Sequence, residues 1–204
     1  MFIERIPNIL RLLYWRALWR GDSKEKVIYL TIDDGPTTLN TTWILDLLDK
    51  YGIKATFFCI GRNVEANPVL YNEILKRGHS TGVHGYDHKR GLYSDKKLFY
   101  ADIEHASQYI HSKLFRPPHG HITPSELRYL SSKYKIVLWD VITRDYNKDL
   151  SGEEVFGIAK KYSRNGSIVV FHDSEKAMNN MRYALPRAIE YWIKEGYSFK
   201  IIKG

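Results

Sequence analysis

The sequence predicts an α/β fold built from parallel strands, and two observations carry this prediction. Short apolar runs of about 4–7 residues alternate with helix-forming stretches from residue 27 to residue 202, as in a series of βαβ units. No linker, internal repeat or low-complexity tract interrupts the alternation, so the sequence predicts one main domain. The repeated crossover favours a barrel, complete or distorted, over an open sheet, although the pattern is compatible with both.

Strands and helices in the first half of the chain are marked by composition and by residues that stop regular structure. Apolar and β-branched runs predict buried strands, whereas apolar residues spaced three or four apart predict helices. Pro68 suits the first turn of a helix, and Gly78 ends the same helix. The predicted elements are a strand at 27–32, a helix at 40–50, a strand at 54–60, a helix at 68–77 and a strand at 79–83.

Helix-capping signals locate several elements of the second half. Thr123 precedes Pro124 as an N-cap before a proline at the first helical position. Ser151 and Glu154 form a capping-box pattern, and Gly196 ends the final helix. The predicted elements are helices at 94–110, 124–133, 151–162 and 185–195, and strands at 115–116, 136–139, 167–171 and 199–202.

Composition narrows the classes of function. The 204 residues suffice for one domain with a sizeable core. The one cysteine, Cys59, lies in an apolar run, which excludes a disulfide framework and predicts a thiol in the core. A net charge of +8 is compatible with a solvated basic surface, an acidic glycan, an anionic membrane or nucleic acid. No nucleic-acid-binding motif accompanies the charge, so nucleic acid is not expected as a partner.

Residues 1–25 are apolar and rich in arginine. The arginines interrupt every apolar run before it reaches the length of a signal-peptide core, about 7–15 residues, or of a transmembrane span. We therefore expect a basic, apolar helical extension that packs on a main domain at 26–204, with a helix on a membrane surface as the alternative. Without a cleavable signal or a membrane span, the protein is expected in the cytoplasm or peripherally on a membrane.

Two adjacent carboxylates, Asp33 and Asp34, end the first predicted strand, and Gly35-Pro36 turns the chain after them. A buried pair of carboxylates is costly unless a cation or a proton compensates it. A solvated turn is the ordinary alternative for these residues taken alone.

Two histidines follow another predicted strand, at the edge where parallel α/β folds bind ligands. His84 and His88 are four residues apart, and on a helical turn they would face one metal ion, with an aspartate as the third ligand. Two imidazoles and one carboxylate are typical of a catalytic zinc or related site. A chance pair among the eight histidines is the alternative.

Arg116 and His172 complete the candidate residues. Arg116 begins the stiff loop Arg-Pro-Pro-His-Gly, and its guanidinium can bind a carboxylate in a fork. A surface arginine in an ordinary loop is the alternative. His172 ends a strongly apolar strand, a position that suits a core histidine and a functional one equally well.

Five motifs in fixed order make the chain from about Lys26 onward resemble the polysaccharide deacetylases of carbohydrate esterase family 4, the NodB homology domain. The motifs are Thr31-Ile-Asp-Asp-Gly-Pro36, His84-x-x-x-His88, Arg116-Pro-Pro-His-Gly120, Asp140 to Tyr146 and Val170-Phe-His172. The resemblance implies a distorted (β/α) barrel and a hydrolase that removes acetyl groups from glycans.

The resemblance also implies one divalent metal, with zinc first and cobalt or manganese as alternatives, held by Asp34, His84 and His88. It implies that Asp33 is the general base toward water and that Arg116 holds it in place. Physical chemistry agrees with this division, because adjacent carboxylates need different partners, and a metal on one with an arginine on the other provides them.

Further roles are implied on the leaving-group side. The backbone N–H of His119 would stabilise the oxyanion, and His172 would protonate the departing amine with Asp145 orienting it. A histidine paired with an aspartate is a suitable acid near neutral pH. The substrate-binding residues implied beside these are Pro118, Tyr146 and Val170.

Four positions depart from the family pattern: Gly85 replaces a usual Ser or Thr, His119 a Tyr, Tyr146 a Trp and Val170 a Leu. Gly85 removes a hydroxyl that could fix the loop between the two metal-binding histidines. The expected activity is hydrolysis of N-acetyl groups on the amino sugars of a glycan, with release of acetate. The alternatives are an esterase for O-acetylated glycans such as xylan, an amidohydrolase for small cyclic amides, and a glycan-binding member without turnover.

Overall fold

One curled sheet of parallel strands carries the fold in the computed structural model, which describes residues 11–12, 14–91 and 95–204. The strands are β1 Val27–Asp33, β2 Thr56–Cys59, β3 Ser80–Val83, β4 Leu114–Phe115, β5 Lys135–Ile136, β6 Val141–Ile142, β7 Ser167–His172 and β8 Ser198–Phe199. Their order is β5-β4-β3-β2-β1-β7-β6, and β8 pairs with the first two residues of β1. Every ladder between these strands is parallel, which confirms the predicted α/β class.

Helices follow most of the strands and complete a distorted (β/α) barrel, as predicted. Those in the described residues are α1 Thr41–Lys50, α2 Gly61–Ala66, α3 Pro68–Lys76, α4 Lys96–Ala106, α5 Pro124–Leu130, α6 Gly152–Tyr162 and α7 Met178–Lys194. A 3₁₀ turn at Pro118–Gly120 comes after β4. Within the described ranges, no helix combines the length and the apolar character needed to cross a bilayer.

The strand β1 lies inside the sheet and positions the first carboxylates. Its sequence, Val-Ile-Tyr-Leu-Thr-Ile-Asp, is nearly all apolar, which suits a parallel strand covered on both faces. Ile28, Leu30 and Ile32 are fully buried. Asp33 is in register with His172 at the end of β7, so the residues that end these two strands meet at one edge of the sheet.

The predicted capping signals are confirmed. Thr123 and Glu126 form a capping box at the start of α5, and Ser151 and Glu154 form another at the start of α6. Helix α4 begins directly after Asp95, whose side chain accepts hydrogen bonds from the backbone N–H groups of Lys97 and Leu98. These side chains satisfy amide groups that a helix leaves without partners at its first turn.

The last helix differs from its prediction. It begins at Met178, whereas the predicted start was at about Leu185. Pro186 lies inside α7 and has no N–H group to donate to the carbonyl of Arg182, an exposed residue one turn earlier in the helix. The short elements α2 and β6 were not predicted, because runs of their length carry no periodicity.

The segment before β1 contacts residues beside the two edge strands. Leu18 forms a bridge with Val137, next to β5, and Arg20 forms a bridge with Ser167 of β7. Arg11 pairs with the buried carboxylate of Asp140, next to β6. Residues 11 and 12 are helical and residues 14–20 form turns and bridges, while residues 1–10 and 13 of the predicted helical extension lie outside the described residues.

Candidate active site

Three potential metal ligands converge at the carboxyl edge of the sheet. Asp34 follows β1, whereas His84 and His88 follow β3. The Nε2 atoms of the two histidines are 3.2 Å apart. Oδ1 of Asp34 lies 3.4 Å from Nε2 of His88 and 3.7 Å from Nε2 of His84. Among the described residues, this is the one group of at least three such ligands whose donor atoms all lie within 4.8 Å of one another.

The two histidines meet through a loop, so the helical turn predicted from their spacing is wrong. Residues 84–88 form neither helix nor strand. Gly85 and His88 have positive φ angles of 76° and 58°, which reverse the chain between the two imidazoles. Asp34 also has a positive φ, 78°, a conformation that is uncommon for residues with a side chain and that occurs at functional sites.

Both imidazoles are prepared to bind a cation. Nδ1 of His84 lies 2.7 Å from the carbonyl oxygen of Arg116, which can only accept a hydrogen bond. The proton of His84 is therefore on Nδ1, and the lone pair of Nε2 faces the other ligands. Burial lowers the pKa of His84 to about 3 and that of His88 to about 2, so both rings are neutral at physiological pH.

Asp34 supplies a carboxylate oxygen that lacks a partner within the described residues. Its Oδ1 is buried and accepts no hydrogen bond. Burial raises the pKa of Asp34 to about 6, the shift expected of a carboxylate removed from water without a compensating cation. A divalent ion fits this set, because two neutral imidazoles and one carboxylate leave coordination positions for water and substrate.

Asp33 is fixed by Arg116. Nη1 of this fully buried arginine donates to Oδ1 of Asp33 at 2.5 Å and to Oγ1 of Thr31 at 2.9 Å. The remaining guanidinium nitrogens donate to the backbone carbonyls of Val137 and Leu138. Burial lowers the pKa of Arg116, and the Asp33 carboxylate opposes that shift. The second carboxylate oxygen of Asp33 lies 3.8 Å from Nε2 of His84, one of the potential metal ligands.

His172 and Asp145 form a second hydrogen-bonded pair at the same edge. Asp145 is fully buried; its Oδ1 lies 2.7 Å from Nδ1 of His172, and its Oδ2 accepts the His172 backbone N–H at 2.8 Å. Burial by itself lowers the pKa of His172, but the Asp145 carboxylate, with smaller contributions from Asp34 and Asp33, raises it to about 9. The ring of Tyr146 meets the imidazole edge-on at 4.9 Å.

These groups open into a cleft with a volume of about 710 Å³. Tyr146 and His119, two of the predicted substrate-binding residues, line this cleft. Pro118 and Val170 are buried and do not line it; Val170 lies two residues before His172 on the same face of β7. Four cationic side chains also line the cleft: Arg62, Arg90, Arg144 and Lys176.

The positions of Asp173 and of these cationic side chains at the site were not predicted from the sequence. Asp173 is fully buried and accepts hydrogen bonds from the hydroxyls of Thr37 and Thr41, while its backbone N–H donates to the carbonyl of Asp33 at 2.7 Å. Burial raises its pKa to about 6. Asp173 thereby ties the turn after β1 to the end of β7. Its position directly after His172 was the available signal, whereas the cleft cations come from separate loops and form no sequence pattern.

Comparison with known proteins identifies similar sequences. The family described as "Polysaccharide deacetylase" matches residues 20–137. A peptidoglycan-N-acetylglucosamine deacetylase of Bacillus cereus is 32% identical over 189 residues, which cover 89% of this chain and 88% of the relative. The peptidoglycan-N-acetylmuramic acid deacetylase PdaC of Bacillus subtilis is 34% identical over 158 residues, or 74% of this chain and 33% of the relative. The chain thus spans nearly all of the first relative and a third of the second.

Solved structures show the same fold. The crystal structure of the Bc1960 peptidoglycan N-acetylglucosamine deacetylase has a TM-score of 0.88 and 26% identity, with 97% of this chain and 95% of that one covered. PdaA of Bacillus subtilis, a family 4 carbohydrate esterase, has a TM-score of 0.79 and 27% identity, with coverage of 95% and 86%. A pseudoenzyme of the CE4 family from Bacillus anthracis has a TM-score of 0.79 at 23% identity, with coverage of 90% and 66%, which shows the fold alone.

Proposed function

The chain belongs to the polysaccharide deacetylase family and hydrolyses N-acetyl groups on the amino sugars of a glycan. On this premise we propose that the glycan is peptidoglycan. We also propose a separate role in the reaction for each group of residues at the sheet edge. One observation carries the division of roles. A triad of potential metal ligands, a carboxylate held by an arginine and a histidine held by a carboxylate all line one cleft.

Asp34, His84 and His88 hold the divalent ion of the family, which we propose to be zinc. The neutral imidazoles and the carboxylate oxygen without a hydrogen-bond partner support this assignment, since such ligand sets are typical of catalytic zinc sites. Bound there, the ion would polarise the acetyl carbonyl and make water a stronger acid.

Asp33 is the general base in this proposal. Arg116 occupies its Oδ1, and its Oδ2 lies 3.8 Å from Nε2 of His84, on the side of the metal ligands. The arginine keeps the carboxylate oriented, so Asp33 is positioned to accept a proton from the attacking water. Asp34 cannot take this role while its lone pairs bind the ion.

His172 is the general acid in this proposal. An amine leaves poorly as an anion, so cleavage of an acetamide requires a proton on the nitrogen. The Asp145 carboxylate keeps the imidazole protonated below about pH 9 and directs Nε2 away from itself, toward the cleft. The protonated imidazole then donates from Nε2 to the departing nitrogen.

The oxyanion of the tetrahedral intermediate is assigned to the backbone N–H of His119. This amide has no hydrogen-bond partner within the described residues, and the φ of His119 is positive, 58°. An oriented amide that is not engaged elsewhere is the usual donor to a developing oxyanion. Trp139, Ile142 and Tyr146 line the same cleft and supply apolar surface for the acetyl methyl group.

Peptidoglycan as the substrate is supported by the charge of the cleft. Of the four carboxylates that line it, Asp33 is paired with Arg116, Asp173 is fully buried, Asp34 is assigned to the metal, and Glu175 is exposed. Arg90 and Lys176 are exposed on the lining and outnumber Glu175, and Arg62 and Arg144, which have interactions of their own, add positive charge nearby. The cleft therefore attracts a glycan that carries carboxylates more strongly than a neutral one. The named relatives act on peptidoglycan N-acetylglucosamine or N-acetylmuramic acid.

The test is hydrolysis of four substrates, with the protein stripped of metal and then supplied with zinc or cobalt. Acetate release is measured for peptidoglycan fragments, chitin oligomers and acetylxylan, and ring opening is measured for a small cyclic amide, which releases no acetate. We expect metal-dependent turnover that is highest on peptidoglycan fragments. Preference for acetylxylan would overturn the N-acetyl assignment, and binding of fragments without any release of acetate would favour a glycan-binding member.

We further propose that residues 26–204 form the catalytic domain and that residues 1–25 are an extension on it. The contacts of Leu18 and Arg11 with residues beside the edge strands support this division. Limited proteolysis of the full chain tests it, because an extension yields an early cut near residue 25 and a stable larger fragment.

A further inference from the structure

The loop between the two metal-binding histidines depends on groups outside it for its shape. Residues 84–88 contain no element of regular structure. Gly85 and His88 both have positive φ, and in His88 this conformation costs free energy because the residue has a side chain. Surrounding contacts must therefore hold the loop in the arrangement that brings the two Nε2 atoms together.

The carbonyl groups of the loop are held by the first residues of α2. The backbone N–H of Gly61 donates to the carbonyl of Gly85 at 2.8 Å, and the N–H of Arg62 donates to the carbonyl of Tyr86 at 3.3 Å. These two bonds fix one side of the loop and leave its amide groups on the other side.

The amide groups of the loop are held by a single carboxylate, Asp102 of α4. Its Oδ2 accepts the N–H of Tyr86 at 2.9 Å, and its Oδ1 accepts the N–H of Asp87 at 3.0 Å. Nζ of Lys89, just past the loop, lies 3.6 Å from the same Oδ1. Asp102 is only 4% exposed, so both of its oxygens are committed to this segment of the chain.

Gly85 makes room for this carboxylate. A Cβ atom at position 85 would lie 2.7 Å from Oδ2 of Asp102, closer than any real Cβ contact, and the φ of +76° would strain any residue with a side chain. The carboxylate of Asp102 can therefore occupy its position because residue 85 is a glycine. From that position it accepts the hydrogen bonds that keep the loop in place.

We infer that Asp102 is a positioning residue for the metal site: it bonds neither histidine ring nor the ion, and it sets metal affinity by fixing the backbone between His84 and His88. The inference rests on the proposed metal ligands. Loss of such a supporting contact typically weakens metal binding by about 10- to 100-fold. Turnover at saturating metal is retained, because the carboxylate does not face the cleft.

The experiment measures the dissociation constants of zinc and cobalt by chelator competition on the full chain. Asp102→Ala removes both acceptors, and we expect affinity to fall by about 10- to 100-fold. Asp102→Asn keeps the volume and one acceptor oxygen, and its amide nitrogen faces the other N–H group, so a smaller fall is expected. The visible spectrum of bound cobalt should broaden, because a mobile loop samples several coordination geometries.

Asp140→Asn is the matched control. Asp140 is also fully buried and paired with a basic side chain, Arg164, but it lies beside the first residues of β7, at the other end of the strand from His172. Its replacement lowers the melting temperature and leaves metal affinity unchanged. Melting curves recorded in the presence of chelator measure how much folding stability each variant loses when no metal is bound.

The outcomes separate two hypotheses. If the wild-type chain binds no divalent ion, the proposed metal site fails. If it binds the ion and both Asp102 variants bind equally well, the positioning role fails alone. Should Asp102→Ala not fold, Asp102→Asn decides the question, supported by hydrogen exchange at the amides of Tyr86 and Asp87, which must exchange faster in the metal-free variant.

Discussion

Nη1 of Arg116 lies 2.5 Å from Oδ1 of Asp33, while the other carboxylate oxygen of Asp33 lies 3.8 Å from Nε2 of His84. The arginine thus occupies one oxygen, and the second faces the metal ligands. Asp34, the next residue along the chain, has its Oδ1 without a hydrogen-bond partner in the described residues. Two neighbouring carboxylates therefore occupy different environments, and the first prediction separates their roles.

Asp33→Asn keeps the side-chain volume and removes the base. We expect kcat to fall by about 10²- to 10⁴-fold, the usual contribution of a general base, while the zinc dissociation constant stays near that of the wild type. Asp34→Asn is the matched variant and should lose metal affinity together with activity. Full turnover by metal-loaded Asp33→Asn would contradict the assignment of the base.

His172→Ala removes the acid and should affect amide and ester substrates differently. An amine needs a proton to depart, whereas an alcohol leaves more readily without one. We expect kcat/KM to fall by about 10²- to 10⁴-fold on an N-acetylated oligomer and by clearly less on an O-acetylated one. Equal losses on the two substrates would count against an acid role for His172.

The pH dependence of catalysis should report the pairing of His172 with Asp145. The pKa of His172 is about 9, so the imidazole is protonated below that pH and activity falls as the pH rises through it. Asp145→Asn removes the neighbouring negative charge and lowers this pKa. The alkaline limb of kcat/KM against pH should therefore move to lower pH, and a limb that stays in place would mean that another group controls it.

Removing a positive charge from the rim of the cleft should weaken the binding of acidic glycans. Lys176→Gln and Arg90→Gln each remove an exposed cation from the lining. We expect KM for peptidoglycan fragments that carry carboxylates to rise by about 1.5- to 5-fold per variant, the range of exposed charge pairs. KM for neutral chitin oligomers serves as the control and should not change. Added salt should raise the wild-type KM for the acidic fragments in the same direction.

Much of the site could be predicted because parallel strands end at a common edge. Asp33, His84, Arg116 and His172 each end or directly follow a strand, so their convergence follows from the α/β pattern once the strands are located. The pairing of Arg116 with Asp33 and of His172 with Asp145 was implied by the resemblance to the polysaccharide deacetylases, and the chemistry of the side chains agrees with it.

The loop around His88 could not be predicted, because a residue far from it in the sequence forms the hydrogen bonds of its backbone. Spacing alone indicated a helical turn. In the structure, Asp102 accepts hydrogen bonds from the backbone N–H groups of Tyr86 and Asp87, which lie 16 and 15 residues before it. A lone aspartate on the buried face of a helix gives no sequence signal for such a role. The start of α7 at Met178 was also missed, and its buried face packs on the domain although Pro186 inside the helix opposes local helix formation.

The bridge formed by Leu18 protects an edge strand. Its N–H donates to the carbonyl of Ile136, and its carbonyl accepts the N–H of Leu138, both at 2.8 Å. Unpaired edge groups of this kind are templates for strand pairing between molecules. A shortened protein that starts at β1 would expose them beside the apolar side chain of Val137, so this short stretch guards the folded chain against self-association as well as joining the two edges of its sheet.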